Sequence, residues 1–209
     1  MGLFDWFNST PSNVTILEDV IWMKNQARLN GITRALSQIV AKPAGTAAVI
    51  AVAHFQEMLG QLREIAAQLE APELITVCAA DLLERHAADW RRLNESDSIH
   101  ILVGERHPLP AHDERVLDFA RGLPCQSHIV HHLSLADPMM RTFNGEWVES
   151  ILKRLGMAED EAIESKLVAR QIKKAQIKIA SQAVGDSPAD SAESWMERNC
   201  PEIWNLRQR

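Results

Sequence analysis

The chain has 209 residues, of which 46% are hydrophobic and 24% are charged, the composition of an ordinary globular protein. Acidic residues outnumber basic ones by 28 to 22, a net charge of −6, so the chain as a whole does not attract nucleic acid and we expect none as a partner. The three cysteines, Cys78, Cys125 and Cys200, are odd in number and widely spaced, which argues against a disulfide framework and a CxxC metal site. We expect a reducing, cytoplasmic location.

Residues 1–14 are predicted to form a flexible tail with an apolar tip. Leu3, Phe4, Trp6 and Phe7 place four large apolar side chains within the first seven residues. We expect them to dock on the body of the protein, on a partner or at a membrane interface, where burying each is worth about 1.5 to 3 kcal/mol. No stretch reaches the roughly 18 apolar residues of a membrane span, and the start lacks the pattern of a secretion signal.

Apolar periodicity then divides the chain into alternating helices and strands. Residues 24–41 and 55–69 carry the three- and four-residue spacing of amphipathic helices. A continuous apolar run, which suits a strand covered on both faces, occurs at residues 47–55, and further strands are predicted at residues 73–80, 99–103 and 127–135. Asp81, with Glu84 three residues later, is placed to cap the helix after the second of these strands. This alternation predicts an α/β fold with a parallel sheet flanked by helices over residues 15–156.

The last part of the chain is predicted to be a helical extension and a tail. Asp137 and Pro138 are typical of a helix start, and Gly156 ends that helix. A long helix is expected within residues 157–184, and residues 185–209 are predicted to be a polar tail. The long helix carries four basic side chains: Arg170, Lys173, Lys174 and Lys178. They suit binding to anionic lipid or to an acidic partner, or they form a helix face that is simply exposed to solvent.

Several common catalytic motifs are absent. No GxxxxGK[ST] occurs, so the chain lacks the Walker A loop that holds nucleotide phosphates, and GxGxxG, GxSxG and HExxH are absent too. His128, His131 and His132 are close in sequence, and His128 and His132 would share a strand face as two metal ligands do. No carboxylate or cysteine completes that set, so we expect no metal and interpret these histidines as a polar strand end.

Two segments carry a resemblance to a known family. The triplet Glu105-Arg106-His107 and the stretch LSLADPMMRTF at residues 133–143 stand in register with ERH and LSLEDDLMRIF, with 25 intervening residues. LGMAEDEAIESKLVARQ, from residue 155, is similar to LGMKPGEAIEHPWVTKA. Both motifs come from SecA, the ATP-driven motor of bacterial protein export, so the chain resembles its second nucleotide-binding domain over about residues 15–180. The resemblance implies a RecA-like, helicase C-terminal-like sheet with a C-terminal helical extension.

The comparison with the SecA motifs also shows which parts of a nucleotide site this chain lacks. SecA completes its nucleotide site with GRGTDI and with the arginines of QLRGRSGR. Here the first motif is missing, and Phe119 and Gly122 stand where the second has arginines, with Arg121 one position off. Losing one such arginine can cost about 10³-fold or more in rate, so we expect a pseudo-ATPase without catalytic residues. The remaining candidates for nucleotide contact are Glu105, Arg106, Arg115 and Arg121, and we expect ATP only if a partner subunit completes the site.

Three functions remain open from the sequence. The first is a catalytically inactive SecA-like module, an adaptor or regulator in protein export whose partner is SecA or the translocase. The second is half of a composite ATP site completed by a separate P-loop subunit. The third is a peripheral membrane scaffold, held at the inner membrane by the apolar tip at residues 3–7 and the basic helix.

Overall fold

The structure is a computed structural model that describes residues 13–41, 45–142, 145–154, 156–163 and 166–205. Within these ranges the strands are β1 Val14–Ile16, β2 Val20–Trp22, β3 Thr46–Ala53, β4 Ile75–Ala79, β5 Ser98–Val103 and β6 Gln126–Ser134. The helices are α1 Asn25–Ala41, α2 Gln56–Ala67, α3 Leu83–Trp90, α4 Pro110–Arg121, α5 Pro138–Thr142, α6 Gly145–Arg154, α7 Lys166–Gln182, α8 Ala192–Asn199 and α9 Pro201–Asn205.

The strands form one parallel sheet in the order β1-β6-β5-β3-β4, with β2 also paired to β6. From β3 the chain moves outward to β4, and it then returns across β3 to continue through β5 and β6 on the other side. The order therefore reverses between β3 and β5. Ligands of such sheets bind beyond the carboxyl ends of the strands at this reversal, which is called the topological switch point.

Helices cover both faces of the sheet. One apolar cluster holds Ile32 and Leu36 of α1 and Leu59 and Leu62 of α2 against Ala51 and Leu102 of the strands. The opposite cluster packs α3 and α4 on Ile50, Ile101 and Ile129. Burial on both faces explains why these strands are continuous apolar runs rather than alternating ones. The predicted fold class, an α/β fold with a parallel sheet flanked by helices, is confirmed.

Two short strands were not predicted. β1 pairs with residues 127–129 of β6, and β2 pairs with residues 132–134 of the same strand. Asn13 and Val14, which the sequence assigned to a tail, belong to this edge, because the side-chain amide of Asn13 donates to the carbonyls of Ala120, Leu123 and Cys125 at 3.2, 2.7 and 3.2 Å. Three-residue strands are too short to show a periodicity of their own.

The predicted capping box at Asp81 is wrong. Asp81 lies inside a 3₁₀ turn, Ala80–Leu82, and α3 begins after Leu82 without a side-chain cap. The helix predicted after Asp137 is found as two helices, α5 and α6.

The predicted polar tail at residues 185–209 is also corrected. It contains α8 and α9, and Trp195 is 1% exposed in an apolar cluster with Ile172 and Ile179 of α7. Ser191 accepts a hydrogen bond from the backbone N–H of Ser194 and caps α8. These helices cover the carboxyl end of the sheet, because the same cluster includes Ile21 of β2 and Leu133 of β6.

Candidate functional site

Glu105 fills the topological switch point. It follows β5, and its Oε1 accepts hydrogen bonds from the backbone N–H groups of His54 and Phe55, which connect β3 to α2, at 3.2 and 3.0 Å. In the first turn of α2, the backbone N–H of Glu57 donates to the carbonyl of Asp190 at 3.0 Å. The amides that begin α2, a natural place for a bound anion, are thus taken by groups of the same chain.

The Glu105 carboxyl is 7% exposed, and burial raises its pKa to about 8. The nearby charge of Asp137 adds to this increase, whereas Arg28 and the two backbone N–H groups oppose it. Arg28 is itself paired to Asp137 at 2.8 Å. The carboxyl is therefore held largely neutral near pH 7, as a buried structural group.

Arg106, the next residue, is held between two carboxylates. Its Nη2 lies 2.7 Å from Asp19 Oδ1, and its Nη1 lies 2.9 Å from Asp113 Oδ2. Burial lowers the pKa of the guanidinium, but the two aspartates more than offset this and raise it. One positive charge thus faces two negative ones, and no net positive charge remains here to attract phosphate.

Asp113 connects this ion cluster to the helical extension. Its carboxylate accepts from the backbone N–H of His107 at 3.1 Å and from the side-chain amide of Gln176, on α7, at 2.7 Å. His54 Nε2 lies 2.9 Å away. Burial raises the pKa of Asp113, but the contact with His54 and the charge of Arg106 oppose it and hold that pKa below its usual range. Asp113 therefore remains ionised and ties α4, α7 and the strand ends together.

Three histidines gather at the same edge. The rings of His107 and His112 stack with centroids 3.7 Å apart, and His54 meets both edge-on at 5.5 and 6.4 Å. His112 Nε2 lies 2.8 Å from Asp186 Oδ2, and the indole N–H of Trp195 donates to Asp186 Oδ1 at 3.1 Å. Burial, together with the neighbouring His112 and His54, lowers the pKa of His107 to about 3. The cluster therefore docks the C-terminal segment through stacked rings, of which that of His107 is neutral at pH 7.

Three possible metal-ligand atoms, one each from His107, His112 and Asp186, lie within 4.8 Å of one another. Imidazole binds a metal along a lone pair in its ring plane, and two rings stacked 25° from parallel do not direct their lone pairs at one point. His107 Nδ1 also already accepts the backbone N–H of Leu109 at 3.0 Å. The arrangement suits packing better than metal coordination.

The histidines that are close in sequence separate in space. His128 stacks on His100 at 5.1 Å, His132 stacks on Trp22 at 6.3 Å, and His131 lies 3.7 Å from Asp19. The cluster that does form joins residues from position 54 to position 186. Sequence spacing therefore gave no signal for it.

The candidate nucleotide contacts do not converge. Glu105 and Arg106 lie at the switch point, whereas Arg115 and Arg121 are on the exposed side of α4, where Arg121 pairs with Glu114 and Asp118 at 2.8 and 2.9 Å. The basic residues of α7 are all exposed: Arg170, Lys173, Lys174 and Lys178. Leu3, Phe4, Trp6 and Phe7 lie outside the described residues.

Little space remains at the switch point. The cavity beside Glu105 measures about 80 Å³, and its lining includes the acidic residues Glu57, Asp137 and Glu193. Pockets for molecules of nucleotide size generally occupy about 300 to 1,000 Å³. The lining also includes Arg28 and Arg141, and in this conformation the cavity is too small to accept a nucleotide.

Comparison with known proteins agrees with the sequence motifs. The chain is 28% identical over 217 aligned positions to the protein translocase subunit SecA of Psychrobacter sp. (strain PRwf-1), covering 79% of this chain and 23% of that protein. It is 38% identical over 97 residues to SecA of Xanthomonas campestris pv. campestris (strain B100), covering 44% of this chain and 10% of the relative. The predicted resemblance to SecA is confirmed. The chain spans a quarter or less of the SecA proteins that it matches.

Other comparisons add less. No protein-family model matches the chain. The C-terminal part of the Fun30 ATPase domain has a TM-score of 0.37 and 13% identity over 72% of this chain and 54% of that one, a likeness too slight to support an argument. Among the described helices, none has the combined length and apolar character needed to cross a bilayer.

Proposed function

We propose that this chain is a catalytically inactive SecA-like module that acts as an adaptor or regulator linked to protein export. The observation that carries the proposal is the occupied switch point. There the Glu105 carboxyl and the Asp190 carbonyl take the N–H groups that begin α2, where an α/β nucleotide site would present them to phosphate.

The charges at this edge support the same proposal. A nucleotide-hydrolysing site needs free cations to neutralise charge that develops on the transferred phosphoryl group. Arg106 is instead paired with Asp19 and Asp113, and Arg28 is paired with Asp137. Phosphate could be bound here only after these ion pairs were broken, which is costly for buried groups.

The link to export rests on the SecA similarity. The motifs that resemble SecA include Glu105, Arg106 and the start of α7, and in this chain those parts belong to a packed scaffold. Gln176 of α7 donates to the carbonyl of His107 at 2.9 Å and to Asp113, so the helical extension is fixed on the α/β domain. A rigid surface that resembles part of a motor suits a protein that binds the motor or its membrane partner.

Assays of ATP binding and hydrolysis test whether the chain is catalytically inactive. Purified full-length chain should show no saturable binding of fluorescent ATP and no phosphate release above buffer, with bacterial SecA as the positive control. Turnover of ATP by the chain alone would overturn the proposal. Binding that develops only when SecA or another P-loop protein is added would replace it with the composite-site alternative.

Partner binding tests the adaptor role. The purified chain should bind immobilised SecA, or inner-membrane vesicles that contain the translocase, and should bind neither an unrelated acidic protein nor vesicles of the same lipids without protein. Absence of binding to both SecA and translocase vesicles would refute the export link. Equal binding to the protein-free vesicles would instead favour the membrane scaffold.

A further inference from the structure

An apolar cleft lies beside the strand edge, between α4 and α7. Its volume is about 290 Å³, and its walls include Val116 and Leu117 of α4, Ile129 of β6 and Ile177 of α7, with Ile16 of β1 at the rim. Arg106, Asp113 and His131 line its polar part. The cleft is thus more than three times the size of the cavity left at the switch point.

Two features of this cleft are unusual for a surface left to water. Ile16 is 57% exposed and Ile177 is 65% exposed, and they are two of the six large apolar side chains that the described part of the chain exposes. His131 is 6% exposed, yet within the described residues neither of its ring nitrogens has a hydrogen-bond partner. A buried polar group is normally paired, so an unpaired one in the wall of a cleft points to an occupant that supplies the partner.

We propose that the cleft binds a short apolar peptide segment carrying one carboxylate, and that its occupant is residues 3–7 of the same chain. The path is short. Residue 13 is anchored to the carbonyls of Ala120 and Leu123, at the end of α4, and Leu117 lies about one helical turn before that end. The five linking residues, 8–12, can span up to about 17 Å, close to the whole length of α4.

The chemistry of the segment matches the walls of the cleft. Leu3, Phe4, Trp6 and Phe7 supply apolar groups for a pocket whose lining is mainly apolar, and aromatic residues give the largest burial per side chain. Asp5 supplies one negative charge. The two acidic residues in the lining of the cleft, Asp113 and Glu114, are paired with Arg106 and Arg121, and Lys173 of α7 lies beside the cleft. A short tether also holds the segment near the cleft at an effective concentration of about millimolar, so weak contacts are enough.

Photo-crosslinking of the full-length chain tests this inference. With p-benzoylphenylalanine in place of Phe4, irradiation should join residue 4 to peptides that contain Leu117 or Ile177, in monomeric protein and independently of concentration. Ile177→Glu places a charge on the rim at an exposed position and should lower the yield about tenfold, equivalent to ~1.4 kcal/mol. Val184→Glu, at another exposed apolar residue, is the matched control and should leave the yield unchanged.

Other outcomes would overturn the inference. Crosslinks only between chains, rising with concentration, would mean that the segment binds a second copy. Crosslinks elsewhere on the body, or an equal yield with Ile177→Glu, would exclude this cleft. Loss of crosslinks to the protein when phosphatidylcholine–phosphatidylglycerol vesicles are added, together with flotation that depends on Trp6, would assign the segment to a membrane. None of these outcomes depends on whether the chain binds SecA.

Discussion

The switch point and the α4–α7 cleft lie side by side, share Arg106 and Asp113, and differ in how well their polar groups are paired. At the switch point the carboxyl of Glu105 and the guanidinium of Arg106 are both bonded within the chain. In the cleft, neither ring nitrogen of His131 has a hydrogen-bond partner among the described residues, and isoleucines face water. The polar groups at the switch point are thus paired within the chain, whereas the neighbouring cleft suits the occupant that we propose for it.

The largest effect is expected for Arg106→Leu. This change leaves Asp19 and Asp113 facing each other in a buried site, and removal of one partner from a buried ion cluster costs about 3 to 5 kcal/mol. Urea unfolding at neutral pH should show the loss. Arg121→Leu, which removes an exposed arginine that also contacts two carboxylates, should change stability little. Similar effects of the two substitutions would mean that the switch point is not held by its ion pairs.

A smaller effect, dependent on pH, is expected for Glu105→Gln. The pKa of Glu105 is about 8 in the folded chain against a usual 4.5, so folding takes up a proton between these values. The neutral carboxyl therefore stabilises the fold at low pH, and this contribution is lost as the pH rises through about 8. The free energy of unfolding falls by up to ~1.4 kcal/mol per pH unit in this range. The stability of Glu105→Gln relative to the parent should rise from pH 6 to pH 8.5, whereas that of Glu64→Gln, exposed on α2, should not. A flat difference for Glu105→Gln would show that this carboxyl is already ionised at pH 6.

His131→Leu tests the cleft side of the comparison. Burial and the charge of Arg106 lower the pKa of His131 from 6.5 to about 3, so its neutral form stabilises the fold above pH 6.5 and this contribution is lost as the pH falls toward 3. An unpaired imidazole replaced by an apolar group of similar size should cost less than about 1 kcal/mol at pH 7.5. At pH 5 the variant should be the more stable of the two. A large loss at pH 7.5 would mean that the imidazole has a partner after all. His86→Leu on α3 serves as the control.

A local effect, confined to the C-terminal helices, is expected for Asp186→Ala, which removes the contacts to His112 and Trp195. Hydrogen exchange of residues 185–199 should become about fivefold faster, as expected for the loss of ~1 kcal/mol, while β3 and β5 stay protected. Glu193→Ala removes an exposed, longer contact to Arg141 and should leave exchange unchanged. Equal acceleration in the sheet would indicate that the helical cap and the sheet open as one unit.

The sequence predicts the parts of this architecture that repeat. Four long strands and the helices between them have patterns that the sequence shows, and Glu105 and Arg106 directly follow the predicted strand at residues 99–103. The partners of Arg106 cannot be predicted in the same way. Asp19 and Asp113 lie 87 and 7 residues away in the chain, and only the tertiary fold brings them to one guanidinium.

The C-terminal helices are a different case. The sequence predicts a polar tail for residues 192–205 because they follow the helix-breaking residues 185–188. The local signals were nonetheless present: Ser191 is a helix cap, Pro201 suits a first helical turn, and Trp195 needs burial. What the sequence lacked was the surface on which Trp195 packs, since Ile172, Ile179 and Leu133 meet only after α7 has docked.

The carbonyl of Asp190 has a consequence for synthesis of the chain. The amide of Glu57 receives its partner from a residue that the ribosome adds more than a hundred positions later. Until that segment emerges, the amino end of α2 is open on one side while β3 to β6 can already pair. A nascent chain stalled before residue 186 would therefore leave the amino end of α2 and the carboxyl end of the sheet uncovered, and addition of residues 186–199 would cover them.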